Sequence, residues 1–388
     1  MFDSLEDSPM RDSFKPQSRI GQLFGLRGWT GIIAALALIA FVAPLLNLVV
    51  PAGSALHLSD YAVSLLGKIM CFAILALAMD LIWGYTGILS LGHGAFFALG
   101  GYAFGMYLMR QIGLDGVYHS ELPDFMVFLD WKAYPWYWSF TDHIWYAAAL
   151  VVLVPGVLAF VFGYFAFRSR IKGVYFSIIT QAMTFAFMLL FFRNDTGFGG
   201  NNGFTDFKRI IGVPIHTSEM RMTLFVITGL VLVGTLILAR YLVTSKFGRV
   251  LTAIRDAESR VMFSGYDPLW YKLAIWTLSA VIAGIAGALY VPQVGIINPG
   301  EMSPAMSIEI AIWVAVGGRG TLVGAILGAF LVNGAKSWFT VAFPEYWLFF
   351  LGAIFIAVTL FLPQGVIGLL KTLRNKKSAS ATAVEVAA

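Results

Sequence analysis

The chain has 388 residues, of which 59% are hydrophobic and 12% are charged, and its mean hydropathy is +0.80. Because soluble domains carry about 25% charged residues, this composition excludes an ordinary water-soluble protein. The formal net charge of +5 comes largely from segments that flank apolar runs, and no basic tract is large enough to indicate nucleic-acid binding. We therefore predict an all-α integral membrane protein in a lipid bilayer, with no nucleic-acid partner.

Long apolar runs divide the chain into about ten predicted transmembrane helices, within a range of eight to ten. A transmembrane domain of residues 29–370 holds these helices, between a tail of residues 1–28 and a tail of residues 371–388. The runs are broken by glycine near 84–94 and 317–320, where we expect interrupted or re-entrant helices. The predicted spans are 29–50, 62–83, 95–110, 144–167, 174–192, 222–243, 272–294, 305–316, 321–342 and 347–362.

The placement of lysine and arginine predicts the orientation of these spans. With the N-terminus inside, seventeen of these residues fall in the cytoplasmic segments and six in the external loops. This bias follows the positive-inside rule. It predicts a multi-pass protein of the bacterial inner membrane with both tails in the cytoplasm, external loops at 111–143 and 193–221, and a cytoplasmic loop at 244–272.

The external loop at 111–143 is rich in tryptophan and tyrosine, and two interpretations of it are open. Its aromatic side chains can form a belt at the membrane interface. Alternatively, some of them can anchor a soluble partner, because aromatic residues often dominate interfaces.

The stretch from Thr244 to Pro268 places seven charged residues between two apolar runs. Leu251, Ile254, Val261 and Met262 recur within it at helical spacing and predict one short amphipathic helix. We expect Gly248 to start this helix and Gly265 to end it. Such a helix is shaped to enter a groove on a soluble partner, although a solvated loop that only carries topogenic charge is an equal alternative.

The two glycine-rich breaks, Gly84–Gly101 and Gly317–Gly328, lie at matching positions in the two halves of the chain. Paired interrupted helices mark repeat halves that meet at a transport pathway. Ordinary close packing of small residues is the alternative for any single glycine. The candidate pathway residues are Ser90, Gly92, His93, Gly94, Glu309, Gly317, Gly318 and Gly320.

Charged residues inside or beside predicted spans are further candidates for the pathway, since such charges are costly and usually face the protein interior. They are Lys68, Asp80, Glu309 and Lys336. The sequence does not determine how they pair, and a purely structural ion pair is as good an interpretation as a transport role. His93 has the same two interpretations, a hydrogen-bonded packing residue or a proton relay.

Several catalytic patterns are missing from the sequence. It contains no G-x-x-x-x-G-K-[ST] phosphate-binding loop, no Ser-His-Asp constellation and no zinc-spaced cluster. We predict no catalytic residue, no metal site and no enzyme activity. If ATP drives transport, a separate chain must hydrolyse it.

Three stretches are similar to the permease subunits of branched-chain amino acid type ABC importers: TGILSLGHGAFFALGGY, GRVLTAIRDAESRVMFSGY and SIEIAIWVAVGGRGTLVGAILGAF. The closing LPQGVIGL also resembles that family, and the resemblance covers residues from about 60 to 370. Within the family, FFRNDTGFGGNNGFTDF and LPDFMVFLDWKAYPWYW resemble the urea-transporting permeases.

The resemblance implies an ABC importer permease fold, a second homologous permease subunit, two cytoplasmic ATPase subunits and a periplasmic solute-binding protein. This chain would bind no cofactor itself, because ATP and Mg would sit on the ATPases. The residues that match the family's ATPase-coupling helix are Gly248, Arg249, Ala253, Arg255, Asp256, Glu258 and Gly265.

The resemblance makes urea the expected solute. A branched-chain amino acid or a short amide carried by the same machinery is the alternative. Two interpretations of another class stay open: a passive channel for small neutral solutes, which needs no ATPase contact, and an inert assembly subunit, which would tolerate larger residues at Gly92 or Gly318.

Overall fold

The computed structural model describes residues 23–51, 53–361 and 365–369. The predicted C-terminal tail and residues 1–22 of the N-terminal tail lie outside this range. Within it, helices account for most of the chain, as the apolar runs predict. The α-helices are α1 Leu26–Ala37, α2 Asp60–Thr86, α3 His93–Arg110, α4 Asp124–Phe128, α5 Ile144–Arg168, α6 Val174–Phe192, α7 Ser218–Thr244, α8 Lys246–Phe263, α9 Pro268–Val294, α10 Pro304–Gly317, α11 Val323–Ala342 and α12 Trp347–Phe361.

Seven helical segments in the described residues are long and apolar enough to cross a membrane. The first of them, Gly28–Val49, is α1 continued through two π-helical turns, and the other six are α2, α5, α6, α7, α9 and α11. The three shorter helices α3, α10 and α12 occupy the positions of the remaining predicted spans. The all-helical membrane fold and its interrupted helices are therefore confirmed.

Helices α2 and α9 form the centre of the bundle. Both carry apolar residues on all sides, and a helix of that kind is stable when it is buried on all sides. Helix α2 packs against α7, α9 and α11, while α9 also packs against α3 and α5. Glycines make the closest of these contacts: Gly100 of α3 lies against Gly284 of α9, and Gly287 lies against the Phe97 carbonyl. The packing alternative for glycine is correct at these positions.

We expect Gly287→Ala to destabilise the bundle. A Cβ atom at this position would meet the Phe97 carbonyl and, at 3.0 Å, the Gly101 nitrogen, both of which are backbone atoms that cannot swing aside. Overpacking of this kind costs about 1–3 kcal/mol. Thermal unfolding of the purified protein measures the loss. Gly234→Ala on α7 is the control because no atom lies within 4 Å of its Cβ position, and an equal loss in both variants would contradict the close-packing argument.

The loops at one end of the bundle fold together into a small cap. Strand β1, Phe204–Thr205, pairs antiparallel with β4, Ile296–Ile297, while β2, Arg209–Ile210, pairs with β3, Val213–Pro214. The fully buried Phe204 ring packs edge-on against Trp138 at a centroid distance of 5.4 Å. We call this end of the bundle the loop end and the opposite one, which carries α8, the α8 end.

The aromatic loop at 111–143 is divided between two environments. Trp138 is fully buried in the cap, whereas Trp136 is 84% exposed. Tyr137 donates a hydrogen bond to the Thr196 carbonyl and so ties this loop to the one that follows α6. Some aromatic side chains of this loop therefore form the core of the cap. Neither the belt interpretation nor the docking interpretation includes this role.

Candidate functional site

The charged stretch at 244–268 folds into one amphipathic helix, α8. Leu251, Ile254 and Val261 are buried on its inner face, as the periodicity predicts. Met262 is 45% exposed, so the prediction is wrong for this residue, which follows Val261 directly and is turned about 100° away from it on the helix. The chain leaves the helix through Gly265 at φ +85°, a conformation that glycine adopts without strain. Within the helix, Ala257 has non-helical angles of φ −157° and ψ 71°, so α8 is kinked between its two halves.

The expectation that Gly248 starts this helix is wrong. Helix α8 begins two residues earlier, at Lys246, and Ser245 caps it by accepting a hydrogen bond from the Gly248 nitrogen at 3.4 Å. A serine hydroxyl is a strong helix N-cap, and this signal was present in the sequence. Gly248 serves the corner between α7 and α8, where a Cβ atom would collide with the Val243 backbone.

Glu258 holds α8 against the body of the protein. Its carboxylate lies 2.7 Å from the ammonium of Lys172, in the loop between α5 and α6, and 2.7 Å from that of Lys272 on α9. Burial raises the pKa of Glu258, but the hydrogen bonds from both lysines outweigh this effect and leave the pKa below its usual value. Glu258, one of the predicted coupling residues, therefore joins three segments: α8, the loop between α5 and α6, and α9.

The stability conferred by Glu258 should depend on pH. Since its folded pKa is depressed, the stabilisation is complete above the usual glutamate value of 4.5 and is lost as the pH falls through the lower folded value. We expect Glu258→Gln to lower the free energy of unfolding by about 1–3 kcal/mol at neutral pH. Melting curves of both proteins should converge in acid. A difference that persists there would contradict the charge argument.

Helix α8 also borders a groove with a volume of about 410 Å³. Three predicted coupling residues line it, namely Arg249, Ala253 and Asp256, together with Arg260 and Tyr266. The groove is open at the surface, and three of its lining residues are charged, namely Arg249, Asp256 and Arg260.

Arg255 connects α8 to the first glycine-rich break. Its Nη1 donates a 2.9 Å hydrogen bond to the carbonyl of Gly84 on α2, and its Nε donates to Asp256 at 2.9 Å. The stem of Arg255 covers Gly87, which ends α2 at φ +73° and whose Cβ position lies 3.0 Å from the Arg255 Cγ. Arg255 therefore joins α8 to the end of α2 through one hydrogen bond and one packing contact.

The first break is an unwound segment between α2 and α3, residues 87–92. Unwound backbone inside a membrane protein needs partners for its polar groups, and α6 supplies them. Ser177 donates to the Leu89 carbonyl at 2.7 Å, and Thr180 accepts from the Leu91 nitrogen at 3.1 Å. Thr184 donates to the Leu91 carbonyl at 3.2 Å. The three hydroxyls share one face of α6, and although their helical spacing is visible in the sequence, they are absent from the predicted pathway residues.

His93 starts α3 and is a buried, hydrogen-bonded residue. Its Nε2 lies 2.7 Å from the Ser279 hydroxyl on α9, and its Nδ1 lies 3.2 Å from the Ser90 hydroxyl. Ser279 in turn donates to the Ala78 carbonyl of α2 at 2.5 Å. These contacts join α2, α3 and α9, as the packing interpretation of His93 predicts.

The second break, residues 318–322 between α10 and α11, wraps around the carboxylate of Asp80. Asp80 is fully buried on α2 and accepts hydrogen bonds from the Gly320 nitrogen at 2.6 Å and the Leu322 nitrogen at 3.0 Å. The Tyr85 hydroxyl donates to the Gly320 carbonyl at 2.9 Å. Asp80 is therefore the anchor of this break.

The two breaks meet at Gly84. A Cβ atom there would lie 2.7 Å from the Cα of Gly320, so only a glycine allows this approach. The carbonyl of the same Gly84 accepts the Arg255 hydrogen bond. We call Asp80, Gly84, Arg255 and Gly320 the junction, because they connect α8 with both interrupted segments.

The predicted pathway residues fall into three places. Ser90, Gly92 and His93 lie at the first break, and Gly94 follows in the first turn of α3, where it lies against the Glu301 carbonyl. Gly317, Gly318 and Gly320 lie at the second break. Glu309 lies within α10. Its two carboxylate oxygens each lie 2.8 Å from the Lys336 ammonium of α11, which resolves one of the pairings that the sequence left open.

The described residues contain no group of three or more His, Cys, Asp or Glu side chains that could hold a metal ion.

Comparison with known proteins identifies the family. Residues 61–359 match the family described as branched-chain amino acid transport system / permease component. The chain belongs to this family. It is an ABC importer permease, a multi-pass membrane subunit of a transporter rather than an enzyme.

Several characterised relatives resemble the permease along most of its length. It is 25% identical over 334 residues to the high-affinity branched-chain amino acid transport system permease protein LivM of Salmonella typhimurium, covering 80% of this chain and 71% of LivM. It is 24% identical over 314 residues to the corresponding BraD protein of Pseudomonas aeruginosa, covering 76% and 91%. No solved structure matches it.

A more remote relative is the autoinducer 2 import system permease protein LsrC of Photorhabdus laumondii, 28% identical over 187 residues, with 45% of this permease and 56% of LsrC covered. The relatives do not support the narrower expectation of a urea permease, and their names fit the amino acid alternative better.

Proposed function

We propose that this permease pairs with a second, homologous permease subunit and passes a branched-chain amino acid or a short amide across the inner membrane. Two ATPase subunits drive it from the cytoplasm, and a periplasmic binding protein delivers the solute at the loop end. The α8 end is cytoplasmic in this proposal, in agreement with the excess of lysine and arginine on that side.

The junction carries this proposal. An ATP-driven permease needs a surface for the ATPase and a rigid connection from that surface to the segments that gate the path. The groove of α8 offers the surface. The hydrogen bond from Arg255 to Gly84, and the contact of Gly84 with Gly320, offer the connection to both interrupted segments. A passive channel requires neither feature.

The substrate class rests on the relatives, since LivM and BraD are named as permease proteins of branched-chain amino acid transport systems. Urea is retained as the second candidate because the two external loop stretches resemble urea permeases. In this proposal the same importer would carry either solute, so a single uptake experiment with both solutes distinguishes the two candidates.

The test is uptake of radiolabelled leucine and urea in cells that lack this chain, with and without its return. We expect the returned chain to restore leucine uptake that depends on ATP. Restoration of urea uptake that ignores excess leucine would keep the machinery and replace the substrate. Flux that continues after ATP depletion would overturn the ABC mechanism in favour of a channel.

A further inference from the structure

Four charged side chains from four different segments approach one another inside the loop-end half of the bundle. They are Lys68 of α2, Glu301 before α10, Glu309 of α10 and Lys336 of α11, and each acts electrostatically on the others. At 1.5 Å per residue, Lys68 lies about 12 Å along α2 from its first residue, Asp60. Charges at such a depth are expensive and mark functional sites in membrane proteins.

Two of these charges satisfy each other and two do not. Glu309 and Lys336 form a bidentate ion pair at 2.8 Å. Glu301 accepts a 2.9 Å hydrogen bond from the Tyr290 hydroxyl on its Oε1 oxygen. Within the described ranges, neither its Oε2 oxygen nor the Lys68 ammonium has a hydrogen-bond or ion-pair partner. The positive and the negative group therefore act on each other electrostatically without forming an ion pair.

Three packed aromatic side chains lie beside these two groups. The Lys68 ammonium lies 5.7 Å from the centre of the Phe72 ring. That ring packs on Tyr290 at 5.5 Å and on Trp313 at 4.9 Å between centroids. The interior region therefore combines one cation, one anion and an apolar surface.

An unsatisfied acceptor lies next to this region. The Gln293 Oε1 oxygen is buried without a hydrogen-bond partner among the described residues, and it lies over Gly67, the residue that precedes Lys68. Buried polar atoms of this kind are rare in folded proteins and call for an explanation, such as a ligand or a water that completes them.

We propose that Lys68 and Glu301 form a transient binding site for the zwitterionic end of an α-amino acid with an apolar side chain, an inference that rests on the proposed function. The Lys68 ammonium takes the α-carboxylate, the Glu301 Oε2 oxygen takes the α-ammonium, and the side chain lies toward Phe72, Tyr290 and Trp313. Urea has no charged groups and would leave both residues uncompensated.

The test uses the complete importer in proteoliposomes, with leucine and urea as solutes. Cys71 is the only cysteine of this chain, so Cys71→Ser gives a background in which Lys68→Cys introduces one thiol at the site. We expect Lys68→Cys and Glu301→Gln each to reduce leucine uptake about 10- to 100-fold, the loss that corresponds to one charge-assisted hydrogen bond. Lys68→Arg should retain most of the uptake.

Chemical rescue separates a binding role from a structural one. Aminoethyl methanethiosulfonate restores a positive charge at position 68, and we expect it to recover leucine uptake, whereas the neutral methyl reagent should not. Leucine should slow the reaction of the introduced thiol, and urea should not. The treated Cys71→Ser parent is the blank.

Three outcomes would overturn the site: unchanged leucine uptake in Lys68→Cys and Glu301→Gln, an equal loss for every solute that the parent carries, or recovery with the neutral reagent. A parent importer that carries no leucine would instead overturn the proposed substrate. The two failures are distinguishable because one appears in the parent and the other only in the variants.

Discussion

Replacing Arg255 with alanine should abolish coupled uptake while the protein stays in the membrane. The change removes the hydrogen bond to the Gly84 carbonyl and with it the direct polar link from α8 to the two breaks. A charge-assisted hydrogen bond contributes about 1.5–3 kcal/mol, so we expect uptake to fall at least 10- to 100-fold. ATP hydrolysis by the assembled importer should continue without transport.

Two variants sharpen this prediction. Arg255→Lys keeps the positive charge but lacks the planar guanidinium group with which Arg255 bonds Gly84 and Asp256 simultaneously. This variant should therefore recover only part of the uptake. Lys246→Ala removes an exposed positive charge from the start of the same helix and should leave uptake near that of the parent. Normal solute flux in Arg255→Ala would contradict the coupling role and favour the channel.

Replacing Asp80 with alanine should have the largest effect on stability. Asp80 is fully buried, and its loss leaves the nitrogens of Gly320 and Leu322 without their acceptor. Each buried donor left unsatisfied costs about 1–3 kcal/mol, so the free energy of unfolding should fall by about 2–6 kcal/mol. Thermal unfolding in detergent and the amount of protein in the membrane measure this loss.

Asp267 provides a matched control. It caps α9 by accepting a hydrogen bond from the Leu269 nitrogen at 3.0 Å, but it does so at the exposed surface. Asp267→Ala should therefore cost only about 1 kcal/mol, the usual value for a helix cap. Equal losses in the two variants would show that Asp80 is not the anchor of the second break.

The sequence determined the class of fold and the positions of most helices. Apolar runs of about 20 residues dictate membrane helices because lipid cannot satisfy the backbone, and the charged stretch at 244–268 is too polar to be one. The spacing of Leu251, Ile254, Val261 and Met262 predicted the amphipathic helix α8, although Met262 does not belong to its buried face. Helix ends were less well determined. Helix α2 extends beyond the predicted 62–83 to Asp60 and Thr86, because the polar residues at its two ends dilute the apolar signal.

The tertiary structure alone decided which residues meet. Asp80 and Gly320 are 240 positions apart. The local composition does not show that a carboxylate on α2, the helix before the first break, will anchor the second break. Likewise, Glu309 pairs with Lys336 while Lys68 and Glu301 stay apart, although all four carry equally visible charges. Hydrophobic periodicity reports only whether a residue faces inward. Which partner an inward-facing residue contacts depends on how helices that are distant in sequence pack together. In this permease that packing places α8, both breaks and the four charges around α2.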